Sequence, residues 1–301
     1  MPDNYLFCQH GLFGTRKDFE RLVEFFREYS GSVVNVVVLT GNENITATLH
    51  GIQAAGERCY DEILSYIDKI EGSESISVSF LGHSMGGLFL RYALRKFFLK
   101  NCAFWEERGI HLSRAIFIAS PHCGISSSSL IVRTGSHHLV GYLFKSMKDL
   151  SLSSPLMEEL ADANGISCLE AFEKVLFYGN AYGDQLVCAT SALALPTVHI
   201  PRRTPNLSCP KINEYVSNDL DKFISISNSD SSAHVRIMRN ICSLPNLKRY
   251  LVEFPTSFPT VLHPLDNSAH TKIICHALTD RAKAGLPILE HIAAFFPSKY
   301  Q

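Results

Sequence analysis

The sequence has no pair of cysteines spaced C-x-x-C, no long block of lysine and arginine, and no apolar stretch longer than "VVNVVVL". Each absence excludes something. Without paired cysteines, neither a structural zinc site nor a disulfide framework organises the chain. The nine scattered thiols suit a reducing, cytoplasmic compartment. Without a basic stretch, and with a net charge of −1, the electrostatic footprint of a nucleic-acid binder is missing. The longest apolar stretch falls far short of the roughly 20 residues that cross a bilayer. Met1–Asn4 runs straight into the strand-like "YLFCQHG", with no secretory leader. The expectation is a soluble, cytoplasmic protein whose contact with membranes or lipid droplets is at most peripheral.

What is present is apolar sequence, 46% of 301 residues, enough for one large core or two small ones. Strand-like and helix-like stretches alternate through the first 120 residues. "NYLFCQ", "SVVNVVVLT", "SISVSFLG" and "RAIFIAS" read as strands, the second rich in valine as a doubly buried strand should be. Between them, "TRKDFERLVEFFREY", "GIQAAGERCYDEILSYIDKIE" and "MGGLFLRYALRKFFLK" carry apolar residues at helical spacing. "EKVLFYGN" and "NLKRYLVEF" supply two later strands, and a terminal helix broken by Gly285 and Pro287 closes the chain. Strand and helix in turn predict an α/β fold with a mostly parallel sheet and helices on both faces. The chain reads as one domain, 1–301, with a helical cap insertion over about 124–173 and an irregular insertion over about 196–245.

"FLGHSMGG" places Ser84 among Gly82, Gly86 and Gly87, where a strand stops and a helix starts. G-x-S-x-G fits a nucleophile elbow, in which small neighbours permit a cramped turn that exposes a serine hydroxyl. It fits a glycine-rich turn equally well, so its companions decide. A serine needs a base, and the base needs a carboxylate to orient it. In doubly wound hydrolases they follow in the order serine, acid, histidine. Asp184, in "LFYGNAYGDQLVCATSA", lies after a later strand. His263, His270, His276 and His291 all follow the last strand. His270 falls at a loop-to-helix junction, His276 and His291 read as helical, and His263 is pinned before Pro264. His234, in a second "SAH", precedes the last strand. Two backbone N–H groups suit an oxyanion hole: that of Met85, after the serine, and that of Leu12, after the turn at His10-Gly11. His83 reads as support for the loop. His137 and His138 lack companions at metal-ligand spacing, and no metal site is expected.

The segments "HGLFG", "GHSMGG", "SPHCG", "GNAYGDQLV" and "SAHTKII", in this order, resemble the putative serine esterase family of lipase-like α/β-hydrolases. The match covers roughly residues 4–195 and 247–295, and departs in the 196–245 segment and in Cys123 and Cys188 within motif loops. The resemblance implies an α/β-hydrolase fold with Ser84 as nucleophile, Asp184 as acid and His270 as base. It also implies hydrolysis of lipid or acyl esters without a cofactor. Two alternatives share the fold: an acyl-protein thioesterase and a catalytically silent binding protein. In the cap, Leu139, Leu143, Met147 and Leu150 recur at nearly helical spacing, with Lys145, Ser146, Lys148 and Asp149 on other faces. Such a stripe suits plain packing on the core, and it also suits a lid over an acyl groove with its lysines near anionic headgroups.

Overall fold

A computed structural model describes residues 3–29, 34–44, 46–70, 76–124, 145–151, 154–196, 198–200, 207–215, 232–255, 268–275 and 284–297. His137, His138, Leu139, Leu143, His263 and His276 lie outside the described residues. The first half contains β1 (Asp3–Gln9), α1 (Glu20–Tyr29), β2 (Val34–Val38), α2 (Ile52–Ile67), β3 (Ile76–His83), α3 (Met85–Lys100), α4 (Phe104–Glu107) and β4 (Ile110–Ile118). Next come α5 (Lys145–Asp149), α6 (Pro155–Glu159), α7 (Ala163–Glu170), β5 (Lys174–Asn180) and α8 (Ala189–Leu193). The chain continues through β6 (Lys211–Glu214), α9 (Ala233–Cys242), β7 (Leu247–Glu253), α10 (Ser268–Lys272) and α11 (Leu286–Ala293).

The seven strands form one sheet in the order β2-β1-β3-β4-β5-β7-β6. All neighbours run parallel except β6, which pairs antiparallel with β7. Successive strand residues face opposite sides of a sheet, and here the two sides fill separate cores. Phe7, Phe117, Val175 and Phe177 join the core beneath α2, α3, α7, α8 and α9. Their neighbours Leu6, Cys8, Ile116, Ile118, Leu176 and Tyr178 join the core beneath α1 and α11. A strand that feeds both cores is buried on both faces, as β3 is from Ile76 to His83, its Ser77, Ser79 and His83 included.

Two arginines are buried within this frame and bind the carboxyl ends of helices, where backbone carbonyls lack partners. Arg91 of α3 donates through Nη2 to the Leu160 carbonyl that follows α6, and through Nη1 to His122 Nδ1 at 3.2 Å. Arg249 of β7 donates through Nε to the Leu193 carbonyl at the end of α8, at 2.7 Å.

Two readings of the sequence change. Residues 196–245 were expected to lack regular elements, and they contain β6 and α9. β6 has only four residues, polar at three positions, so no alternation announces it. α9 does carry Ile237, Met238 and Ile241 inward, behind a Ser232 cap that accepts from the Val235 N–H; the surrounding serines and prolines mask its period. Gly285 and Pro287 start the terminal helix rather than break it, the glycine as cap and the proline in its first turn, where no N–H is needed.

Phe117 on β4 is fully buried, its ring against Phe177 at 5.6 Å. Phe117→Ala should cost about 3–5 kcal/mol, seen as a lower urea midpoint with an unchanged slope. Leu99→Ala, at a side chain 52% exposed, should stay within about 0.5 kcal/mol of wild type.

Candidate active site

β3 lies near the middle of the sheet, and Ser84 follows it directly with φ +55° and ψ −132°. A non-glycine residue reaches positive φ only where its surroundings impose it. Here three close approaches do so. A Cβ on Gly86 would lie 2.2 Å from the Gln9 carbonyl oxygen at the end of β1. One on Gly82 would lie 2.4 Å from the Gly87 Cα, and one on Gly87 would lie 2.1 Å from Ser120 Oγ. Any larger residue would push α3 off the strand ends. The Ser84 N–H is fastened to the Ile118 carbonyl at 2.9 Å, and its hydroxyl makes no helix cap.

That hydroxyl instead meets His270. Ser84 Oγ lies 2.9 Å from His270 Nε2, and His270 Nδ1 lies 2.9 Å from Asp184 Oδ2. Three strand ends, after β3, β5 and β7, thus converge on one line. The His270 and Asp184 side chains are 6% and 1% exposed. Asp184 also accepts from the Val187 N–H at 2.9 Å, the Leu186 N–H at 3.2 Å and Asn180 Nδ2 at 2.8 Å. Burial pushes its carboxyl up, yet the charge and hydrogen bond of His270, with the bonds from Val187 and Asn180, hold it below its ordinary value. With Asp184 ionised, Nδ1 carries the proton and Nε2 faces the serine as an acceptor. Such an arrangement can take a proton from a hydroxyl as it attacks a carbonyl.

The backbone around His270 is tied down on both sides. The Ala269 N–H donates to the Gly183 carbonyl at 3.2 Å, one residue before Asp184. His83 donates through Nε2 to the His270 carbonyl at 2.8 Å. Burial, then the neighbouring His270, pushes the His83 imidazole down to about 3, so it stays neutral and its one donor is committed to this bond.

The first glycine-rich turn comes equally close. A Cβ on Gly11 would lie 2.6 Å from Ser84 Cβ and 3.0 Å from its Oγ, so only glycine brings the Gly11–Leu12 peptide beside the hydroxyl. Met85 is the first residue of α3, where N–H groups point out of the helix unpartnered by its own carbonyls. Leu12 and Met85 therefore both stand next to Ser84 in the chain segments that border it.

His234 and His291, the other described candidates for a base, lie elsewhere. His234 is half-buried in α9. His291 is in α11, its Nδ1 hydrogen-bonded to the Tyr178 hydroxyl at 2.9 Å. Cys123 is buried, its backbone N–H on Ser191 Oγ at 3.2 Å. Its neighbour His122 stacks on Phe177 at 3.8 Å. The "SPHCG" loop is thus packed into the core. Sequence reasoning missed Asn180, whose bond to Asp184 has no spacing signal. It assigned His83 to loop support without the particular carbonyl it holds. Among the described residues, no three His, Cys, Asp or Glu side chains gather as metal ligands, and no helix is long and apolar enough to cross a membrane.

A parallel sheet with a strained serine after a central strand, hydrogen-bonded to a histidine and a buried aspartate from later strand ends, defines an α/β-hydrolase. Residues 2–195 match the family described as putative serine esterase (DUF676), and the chain belongs to that family. Over 219 residues it is 25% identical to the putative lipase YDR444W of Saccharomyces cerevisiae, covering 62% of this chain and 31% of that protein. It is 27% identical over 158 residues to the putative lipase ROG1 of the same yeast, covering 50% and 22%. The chain therefore spans less than a third of the length of these curated relatives. Among solved structures, Aspergillus fumigatus lipase B aligns with a TM-score of 0.43 and 19% identity, over 63% of this chain and 40% of that one.

A carboxyl held below its unfolded value adds stability that is complete above that value and is lost as pH falls through the folded one. The unfolded value for Asp184 is near 3.8. The Tm gap between wild type and Asp184→Asn should be constant above about pH 5 and narrow below about pH 4, as thermal melts across that range would read.

Proposed function

We propose that this chain is a serine hydrolase of carboxylic esters, with lipid and acyl esters as its substrate class. The observation that carries this reading is the unbroken line from Ser84 Oγ through His270 to Asp184, each link 2.9 Å. In the proposed reaction His270 Nε2 takes the Ser84 proton while Oγ attacks the ester carbonyl. The carbonyl oxygen gains negative charge and meets the N–H groups of Leu12 and Met85, each such donor contributing about 10²–10³ in rate. Collapse expels the alcohol, which takes the proton from His270 and leaves Ser84 acylated. Water then attacks the acyl-enzyme with His270 as base again, releasing the acid and restoring the serine. Asp184 orients the imidazole throughout and stabilises its charged form. No cofactor enters this scheme. The lipid reading is supported by family membership and by the lipase names of its relatives. It extends to a cap over the acyl groove within 124–173, of which 125–144 and 152–153 lie outside the described residues while Met147, Leu150, Leu156 and Leu169 join the core. It extends also to a cytoplasmic protein that meets membranes or lipid droplets only peripherally.

A fluorophosphonate probe should label wild type and spare Ser84→Ala; equal labelling of both ends the reading. Asp184→Asn and His270→Ala should each lower kcat by roughly 10³–10⁵ in a folded protein, whereas His234→Ala should leave it within about twofold.

For substrate class, kcat/KM on p-nitrophenyl esters should rise from acetate to octanoate, because each buried methylene contributes about 0.8 kcal/mol. A flat series would remove the lipid assignment and leave the esterase.

A further inference from the structure

The turn beside Ser84 does not hold its shape unaided. It is closed by the Gly14 N–H on the Gly11 carbonyl at 3.2 Å. That carbonyl also lies 3.0 Å from His10 Nδ1. Across a trans peptide the N–H points opposite to the C=O, so two donors on the Gly11 oxygen fix where the Leu12 N–H is aimed. Closing the turn requires Phe13 at φ +58°, a left-handed conformation that is strained for a non-glycine residue. Burial of its ring gives little in return, since the side chain is 52% exposed.

The compensating contact comes from Thr48, 35 residues along the chain and fully buried, whose Oγ1 accepts the Phe13 N–H at 3.2 Å. Thr48 is itself braced. It lies in a short 3-10 segment, Ala47–Leu49, and its carbonyl accepts from the buried Ser146 hydroxyl of α5. Ser146 Oγ accepts the Gly51 N–H at 2.9 Å, and Asp149 Oδ2 accepts the Ile52 N–H at 2.8 Å. On the other side, Arg58 Nη2 donates to the Ala47 carbonyl at 2.6 Å.

We infer that Thr48 is a positioning residue of the ester-cleaving site, holding the Gly11–Gly14 turn so that the Leu12 N–H faces the oxygen that becomes charged. This rests on the ester hydrolase reading above. Loss of the Thr48 acceptor frees Phe13 to return to negative φ, which opens the turn and swings the Gly11–Leu12 peptide. Because that N–H is needed most when the oxygen is charged, the effect falls on kcat rather than KM.

The test compares wild type, Thr48→Val, Thr48→Ser and Ser84→Ala on a soluble p-nitrophenyl ester, with active sites titrated by fluorophosphonate. Thr48→Val keeps the buried shape and removes the acceptor. It should lower kcat per titrated site about 10–100-fold, leave KM within about twofold, and weaken a trifluoromethyl ketone inhibitor by the same factor as kcat. Thr48→Ser should restore all three. If Thr48→Val does not fold, Thr48→Ala takes its place with the same expectation. A Thr48 variant with a lowered Tm but wild-type kcat per site and inhibitor affinity would overturn the inference, while an inactive Ser84→Ala kept the ester reading intact. Full turnover by Ser84→Ala would overturn both.

Discussion

The whole site depends on how closely the first turn of α3 approaches the ends of β1 and β4. Side chains at Gly82, Gly86 or Gly87 would collide with backbone or with Ser120, so the approach exists only because hydrogens occupy those places. It drives Ser84 into positive φ and lifts its hydroxyl clear of the helix it begins. Gly11 repeats the device from the neighbouring strand end, with its Cα against Ser84 itself. A tight turn in isolation would relax; this one is confined by β1 on one side and β4 on the other.

Charge around the site is handled by burial. His83 and His122 are each surrounded by protein, and burial lowers the pKa of both. Neutral rings can each donate one hydrogen bond and accept one. His83 uses its donor on the His270 carbonyl, and His122 uses its acceptor on Arg91. Asp184 is the exception, kept ionised among several donors. The Asp184 carboxylate, bonded to Nδ1 of His270, gives that imidazole a single favoured orientation.

Much of this was legible in the sequence because it was written in local signals. Alternating strand and helix patterns predict the sheet, and near-continuous apolar runs mark inner strands such as β4. The valine-rich run, expected to be buried on both faces, instead forms β2, a partly exposed edge strand, because its place at the end of the sheet decides its burial. Ser84 is marked by a strand that meets a helix, Asp184 by the loop after β5 and His270 by a loop-to-helix junction, in the order serine, acid, histidine. Their side chains stand within hydrogen-bond reach of one another. Other features were illegible because they depend on residues far apart in the chain. Thr48 meets Phe13 across 35 positions and Arg91 meets Leu160 across 69; neither pair has a motif. β6 was missed because an edge strand of four mostly polar residues owes its conformation to β7 rather than to its own pattern. The helix Ala233–Cys242 was missed for a different reason: its apolar period is present but short, and flanked by turn-forming residues.

The two edges of the sheet are unlike. On one side β6 runs against the direction of its neighbours, is short, and bears Lys211 and Glu214 at its ends, Glu214 paired with Lys248 at 3.1 Å. On the other, among the described residues, β2 pairs with β1 alone and is built of four valines and one asparagine. Charged, abbreviated edges discourage another strand from adding to a sheet, and β-branched ones invite it. Among the described residues, the β6 edge is thus guarded against edge-to-edge growth and the β2 edge is not. Aggregation of partly unfolded chains, where it occurs, has its template in Val34–Val38.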